Sequence, residues 1–146
     1  MTPSACLAAI RARLTAGGLT EVRSPLGARA ASSPRIDQSF AVIPVSVAPS
    51  PSPGRSRPDT VGIRVTQTCR VEITNAIKPS DHGAAPAQAL TDLHTAWKYL
   101  LVDATTLTTD TAAIAFSAAN TTYEGGGAFL VTRFDVSVTY GLGLNV

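Results

Sequence analysis

The sequence predicts an α+β fold in which a mostly antiparallel sheet is covered on one face by two helices. Two segments, at 3–16 and 86–101, have the apolar spacing of amphipathic helices. Two long segments, 61–73 and 128–142, alternate apolar and other residues with the two-residue period of a half-buried strand. Turn-forming Gly and Pro residues separate successive strands, which favours hairpins over crossover connections.

The composition is that of one domain with little surface charge. The 146 residues suffice for a single domain, 1–146, and only 15% of them are charged, against roughly 25% in typical soluble domains. Such a surface suits a subunit covered by neighbouring copies, because interface cores are depleted in Lys, Glu and Asp. No apolar run is long enough for a membrane span, and the first arginines follow the apolar residues, unlike a secretory signal. We therefore expect a protein made in the cytoplasm, with no membrane partner.

The charges are unevenly distributed along the chain. Residues 1–70 contain nine arginines and three acidic residues, whereas 71–146 contain three basic and seven acidic residues. The two halves would attract each other, within one chain or between neighbouring copies.

The elements are predicted in order as follows. Thr2 is placed as the N-cap of the first helix, which has Pro3 as its first residue. Its apolar stripe is formed by Leu7, Ile10 and Leu14. A short strand is expected at 19–23, a loop at 24–37 and a β-segment at 39–47. That β-segment has Ala41, Ile43, Val45 and Val47 on one face, with Phe40 and Val42 on the other. Pro44 lacks a ladder donor, so this strand is expected to be bulged or at an edge of the sheet.

A proline-rich arm is predicted at about 48–59. Alternating prolines favour the polyproline II conformation, which would direct the segment outward, either as a hairpin tip or as an arm that orders against another subunit. The cleanest strand, 61–73, places its odd-numbered positions on the core. A second helix with Pro86 as an early residue carries an apolar stripe of Leu90, Leu93, Trp97 and Leu100. A strand at 113–117, a turn at 120–127 and the closing strand at 128–142 complete the chain.

Residues that might carry catalysis or bind a metal are few. Asp81 and His82 lie in a turn region, where Asp usually caps the turn. His94 has no second His or Cys at ligand spacing, and a divalent-cation site at Asp103 and Asp110 has no further support. Cys6 and Cys69 lie far apart and are read as buried thiols. We therefore expect no enzyme activity, metal or cofactor.

The candidate surface for a partner subunit combines the arm with charged positions of the long strands. The arginines of the 61–73 strand lie on its polar face, where they would pair with acidic residues of this chain or of a neighbour. No interleaved aromatic residues are available to stack on nucleic-acid bases. The candidate residues are Pro51, Pro53, Arg55, Arg57, Arg64, Arg70, Glu72, Arg133 and Asp135.

The layout resembles the tail terminator, or tail completion, proteins of long-tailed bacteriophages and gene transfer agents. The segments that carry the resemblance are the N-terminal helix ACLAAIRARL, the hairpin from FAVIPVSV to VGIRVTQTCRVEI, the helix ALTDLHTAWKYL and the closing strand FLVTRFDVSVTYGL. It covers most of the chain as a pattern of elements rather than a motif.

The resemblance implies a hexameric ring that closes the tail tube, stops its polymerisation and meets the head connector. DNA would pass through the ring without sequence-specific binding, and the protein would reside in the virion after assembly in the host cytoplasm. Two alternatives stay open. One is another connector component, such as a stopper or head-closure protein. The other is a small binding module whose Pro/Arg arm engages nucleic acid or an acidic partner.

Overall fold

The computed structural model describes residues 2–22, 37–49, 62–101 and 111–143, and it confirms the α+β class. In these residues two helices accompany a mixed six-stranded sheet. The elements are α1 (Pro3–Ala16), β1 (Thr20–Glu21), β2 (Ser39–Pro49), β3 (Gly62–Ala76), α2 (Ala84–Leu101), β4 (Thr111–Phe116), β5 (Asn120–Glu124) and β6 (Phe129–Gly143).

The strands follow the order β1-β2-β3-β6-β4, and β5 also pairs with β6. β1 pairs with β2 in parallel over two residues. The pairs β2–β3, β3–β6, β4–β6 and β5–β6 are antiparallel. Because β3 occupies one side of β6 along its whole length, β4 and β5 lie end to end on the other side.

Helix α1 begins as predicted. The side chain of Thr2 accepts a hydrogen bond from the backbone N–H of Ala5 at 3.2 Å, which is the N-cap interaction. The buried stripe consists of Cys6, Ile10 and Leu14. Leu7 lies at its margin and is only partly buried.

Helix α2 begins two residues before Pro86 and extends to Leu101. Leu93 and Leu100 are buried as predicted, but the expectation for Leu90 is wrong, since 69% of it is exposed. The buried stripe is rotated toward small residues, because Ala85, Ala89 and Ala96 allow the helix to approach the sheet closely.

The two long strands have the face assignments that their period predicts. On β3, the odd-numbered positions from Val65 to Ile73 are buried. On β6, the even-numbered positions from Phe134 to Tyr140 are buried. Apart from Gln67, these residues form one core cluster with the stripes of α1 and α2, so the core lies on this helix-facing side of the sheet.

The prediction that Ala41, Ile43, Val45 and Val47 share one face of β2 is wrong, because the strand contains a bulge. Pairing with β3 shifts between Pro44 and Ser46. Ile43 lies opposite Arg70, whereas Val47 lies opposite the buried Gln67. The side chains of Ile43 and Val47 therefore lie on opposite faces of the sheet. The expectation that Pro44 marks a bulge is confirmed, and every residue from Ile43 to Pro49 is exposed.

The turn predicted at 120–127 is shorter than expected. Asn120–Glu124 forms β5, and the turn follows at 125–128. Gly125 has a φ of 64°, and a Cβ at this position would lie 2.9 Å from the ring of Phe129, so the turn requires glycine for two reasons.

The loop expected at 24–37 lies outside the described residues except for Asp37. The same is true of the predicted arm beyond Pro49, whose first residues, Ala48 and Pro49, belong to β2.

A buried hydrogen-bond chain joins β6, β3 and the start of α1. The Tyr140 hydroxyl donates to the side-chain oxygen of Gln67 at 2.8 Å, and the Gln67 side-chain nitrogen donates to the Pro3 carbonyl at 3.1 Å. Because Gln67 is only 2% exposed, it depends on these partners.

We expect Tyr140→Phe to lower the free energy of unfolding by about 1–2 kcal/mol, because it leaves a buried acceptor unsatisfied. Tyr123→Phe is the matched control, since Tyr123 is 66% exposed. Urea denaturation of both variants measures the difference. Equal stability of the two would contradict a structural role for the Tyr140 hydroxyl.

Candidate functional site

The polar face of the sheet, defined as the face that carries Arg70, Arg133 and Asp135, holds two cross-strand ion pairs. The register of β3 and β6 places Arg70 opposite Asp135 and Glu72 opposite Arg133. The Arg70 Nε atom lies 3.0 Å from Asp135 Oδ1, and the Arg133 Nε atom lies 3.0 Å from Glu72 Oε1. Four of the candidate interface residues are therefore brought together, as partners of one another within the chain.

Arg133 forms the centre of this charged group. Its guanidinium also contacts Glu124 of β5 and donates to the Thr122 hydroxyl at 2.9 Å. Partial burial lowers the pKa of Arg133, but the hydrogen bonds to Glu124 and Glu72 outweigh it, so the net pKa is raised. The Arg133 charge thus links three strands, β3, β5 and β6.

The Arg70–Asp135 pair is more exposed. The Arg70 side chain is 47% exposed, and its hydrogen bond to Asp135 raises the pKa of the guanidinium. The Asp135 backbone N–H donates to the Ser117 hydroxyl at 2.8 Å, which fixes this pair beside the segment that joins β4 and β5.

Beyond Arg70, hydroxyl groups replace charges along the polar face. Thr68 pairs with Ser137 and Thr66 with Thr139, each with 3.0 Å between oxygens. Arg64 is exposed further along β3. The hydroxyl pairs satisfy one another across the strands, so the stretch of the polar face between Arg64 and Arg70 is uncharged.

The remaining candidate residues cannot be placed by the structure. Pro51, Pro53, Arg55 and Arg57 lie outside the described residues. Their role in a partner contact therefore stays a prediction.

Sequence reasoning missed an exposed apolar segment beside the polar face. Ile43, Val45 and Val47 of β2 are 39%, 51% and 48% exposed. The alternation of the sequence predicts that they share one face, and only Pro44 indicates that the alternation is interrupted. The second half of β2 is therefore an exposed edge segment with apolar side chains on both faces and no charged residue.

A buried polar cluster under the start of α2 was also missed. Asp92 is 5% exposed and accepts hydrogen bonds from the side chains of Asn75 at 2.7 Å and Gln88 at 2.8 Å. A longer contact of 3.4 Å joins it to Gln38. These bonds tie α2 to β3 and to the residue that precedes β2, so we interpret the cluster as structural.

The residues considered for catalysis are not gathered into one site. Asp81, His82 and His94 are exposed, and Asp81 Oδ1 accepts from the Gly83 N–H at 3.2 Å, as expected of a turn residue. Asp103 and Asp110 lie outside the described residues. Within the described ranges, no group of three or more His, Cys, Asp or Glu side chains is arranged to hold a metal ion.

The two cysteines are buried and unlinked, as predicted. Burial, with a smaller contribution from Cys69, raises the pKa of the Cys6 thiol to about 12 from an ordinary value of 9.0. Burial also raises the pKa of Cys69. Both thiols therefore stay neutral and weakly nucleophilic near neutral pH.

This burial predicts a loss of stability in alkali. The thiols stay protonated in the folded chain but ionise from about pH 9 in the unfolded chain, so the free energy of unfolding falls as the pH rises from 9 toward 12. Urea denaturation at neutral and alkaline pH measures the fall, and Cys6→Ala should reduce its slope. A slope unchanged by that substitution would contradict the assignment to Cys6.

Neither a protein-family model nor a curated protein matches this chain. Among the described residues, neither helix is long and apolar enough to cross a membrane.

Proposed function

We propose that this chain is a structural subunit of a phage-type tail, in which copies assemble into a ring that closes the tail tube as a terminator. The proposed subunit body is a mostly antiparallel sheet covered on one face by both helices. The ring, a hexamer by resemblance, would end tube polymerisation and meet the head connector, with DNA passing through its pore.

The observation that carries the proposal is the contrast between the two halves of β2. Ser39–Val42 is buried, whereas Ile43–Pro49 is exposed and contains apolar residues without any charge. An exposed apolar segment at a sheet edge is typical of a strand that meets another protein. The ion pairs on the polar face are compatible with the same proposal, because a covering subunit would meet charges that already have partners within the chain.

A stopper or head-closure protein is the nearest alternative, since it would use the same subunit contacts with a different partner. A binding module that engages nucleic acid or an acidic partner through Arg55 and Arg57 is the alternative from another class. Deletion of 50–58 distinguishes it, because a binding module would lose its ligand and keep its oligomeric state.

Capping of tail tubes tests the terminator function. Purified chain is added to polymerising tail tube protein from the same genome, and tube length is measured by negative-stain electron microscopy. We expect short tubes with a ring at one end. Tubes of unchanged length with unoccupied ends would contradict the terminator function, and a ring bound to the head connector alone would favour the stopper alternative.

A further inference from the structure

The sheet has two open edges in the part of the chain that the structure describes. β1 pairs with β2 only at Ser39 and Phe40, and no described strand lies beside β2 from Ala41 to Pro49. On the opposite side, β4 pairs with β6, and no described strand lies beyond β4. Each edge therefore presents backbone groups that a further strand can bind.

The two open edges lie at the same level along the strand direction. One row of paired residues crosses all four strands and consists of Pro49, Val65, Tyr140 and Thr111. Six positions back along β2, and five positions away on β3 and β6, Ile43 pairs with Arg70 and Arg70 with Asp135, next to the pair of Val136 with Phe116. The exposed half of β2 and the whole of β4 thus span the same stretch of the sheet.

The strand directions also match. β2, β3, β6 and β4 alternate in direction, because each neighbouring pair is antiparallel. β4 therefore runs opposite to β2. When two copies stand side by side in the same orientation, β4 of one meets β2 of the next as an antiparallel pair, with the helices of both copies on the same side.

The chemistry of the two edges is alike. Neither Ile43–Pro49 nor Thr111–Phe116 contains a charged residue, whereas isolated sheet edges are commonly protected by charges, especially lysine. Pro44 and Pro49 have no N–H, so a partner strand can use only those N–H groups of Ile43 and Val45–Ala48 that are directed away from β3. Ala113 and Ala115 of β4 are exposed and small, and they pair with Thr139 and Ser137 on the polar face, which leaves room there for Ile43 of a neighbouring β2.

We propose that copies of this chain join head to tail, with β4 of one copy extending the sheet beyond the exposed half of β2 of the next copy. The contact uses a different edge on each partner, so it is heterologous, and only a closed ring covers both edges of every copy. This inference rests on the proposed self-assembly and specifies which surfaces meet.

Lysine substitutions at each edge test the proposal. Val45→Lys/Val47→Lys blocks the β2 edge, and Ala113→Lys/Ala115→Lys blocks the β4 edge, all at exposed positions. Leu90→Lys is the matched control, because Leu90 is exposed on α2 and lies at neither edge. Masses are measured by size-exclusion chromatography with light scattering, and near-UV circular dichroism of Trp97 verifies the fold. If a double variant does not fold, the single variant at the same edge is used instead, Val47→Lys for β2 or Ala115→Lys for β4.

We expect the wild type and the control to assemble, and each edge variant alone to have the monomer mass of 15.1 kDa. A mixture of the two edge variants should form a species of twice that mass and nothing larger, because one intact β2 edge and one intact β4 edge remain.

Three other outcomes would overturn the proposal. If both edge variants assemble like the wild type, the copies meet elsewhere, and the proposed ring stands without this contact. If only the β2 variant dissociates, two β2 edges pair with each other. If the wild type itself is monomeric with and without tail tube protein, both this contact and the proposed function fail.

Discussion

Phe134→Ala is expected to lower the free energy of unfolding by about 3–5 kcal/mol. Phe134 is 2% exposed and makes edge-to-face contacts with Trp97 and Phe116, at ring-centroid distances of 6.0 and 5.8 Å. Removing the ring leaves a cavity between α2, β4 and β6 that the surrounding rings cannot fill. Urea denaturation measures the loss, and the near-UV circular dichroism of Trp97 should weaken with it.

Tyr123→Ala is the control for this substitution. Tyr123 is also an aromatic residue on a strand, but it is 66% exposed, so its removal should change stability by less than about 0.5 kcal/mol. If Phe134→Ala lost no more stability than the small change expected for Tyr123→Ala, the three-ring cluster would not stabilise the fold.

Arg133→Met is expected to lower the free energy of unfolding by about 2–3 kcal/mol, because it leaves Glu72 in a largely buried position without this cation. Glu72 is 8% exposed, and Glu124 loses the same partner. Methionine keeps most of the length of the side chain, so the loss reports the charge and its hydrogen bonds. Urea denaturation at low and high salt measures it.

Arg70→Met is the matched control on the same face. It removes the same type of ion pair from a neighbouring position, but both partners are more exposed, so no resolvable change in stability is expected. If the two variants were equally stable, burial would not distinguish the ion pairs.

The sequence predicts those parts of the fold that depend on local periodicity. The alternation of 61–73 and 128–142 predicts the buried faces of β3 and β6, and Thr2 and Pro3 predict the start of α1. The alternation of 39–47 fails, because a bulge shifts the register and a local pattern contains no information about the partner strand.

From the sequence, the residue types of the candidate site could be predicted, but the pairing of its residues across the strands could not. Arg70 and Glu72 were assigned to one polar face from their spacing, but their partners Asp135 and Arg133 depend on the register of two strands about 60 positions apart. Asp92 could not be found, because its role as a buried acceptor depends on donors from β3 and from the residue that precedes β2. The open edges likewise depend on strand order, which has no local signature.

The mass of the wild-type chain in solution, measured by analytical ultracentrifugation over a wide range of concentrations, tests the central claim that copies of this molecule cover one another. We predict a discrete species with a mass that is a multiple of 15.1 kDa and does not grow further with concentration, as a closed ring requires. A monomer at every concentration, unchanged when tail tube protein is added, would contradict the account.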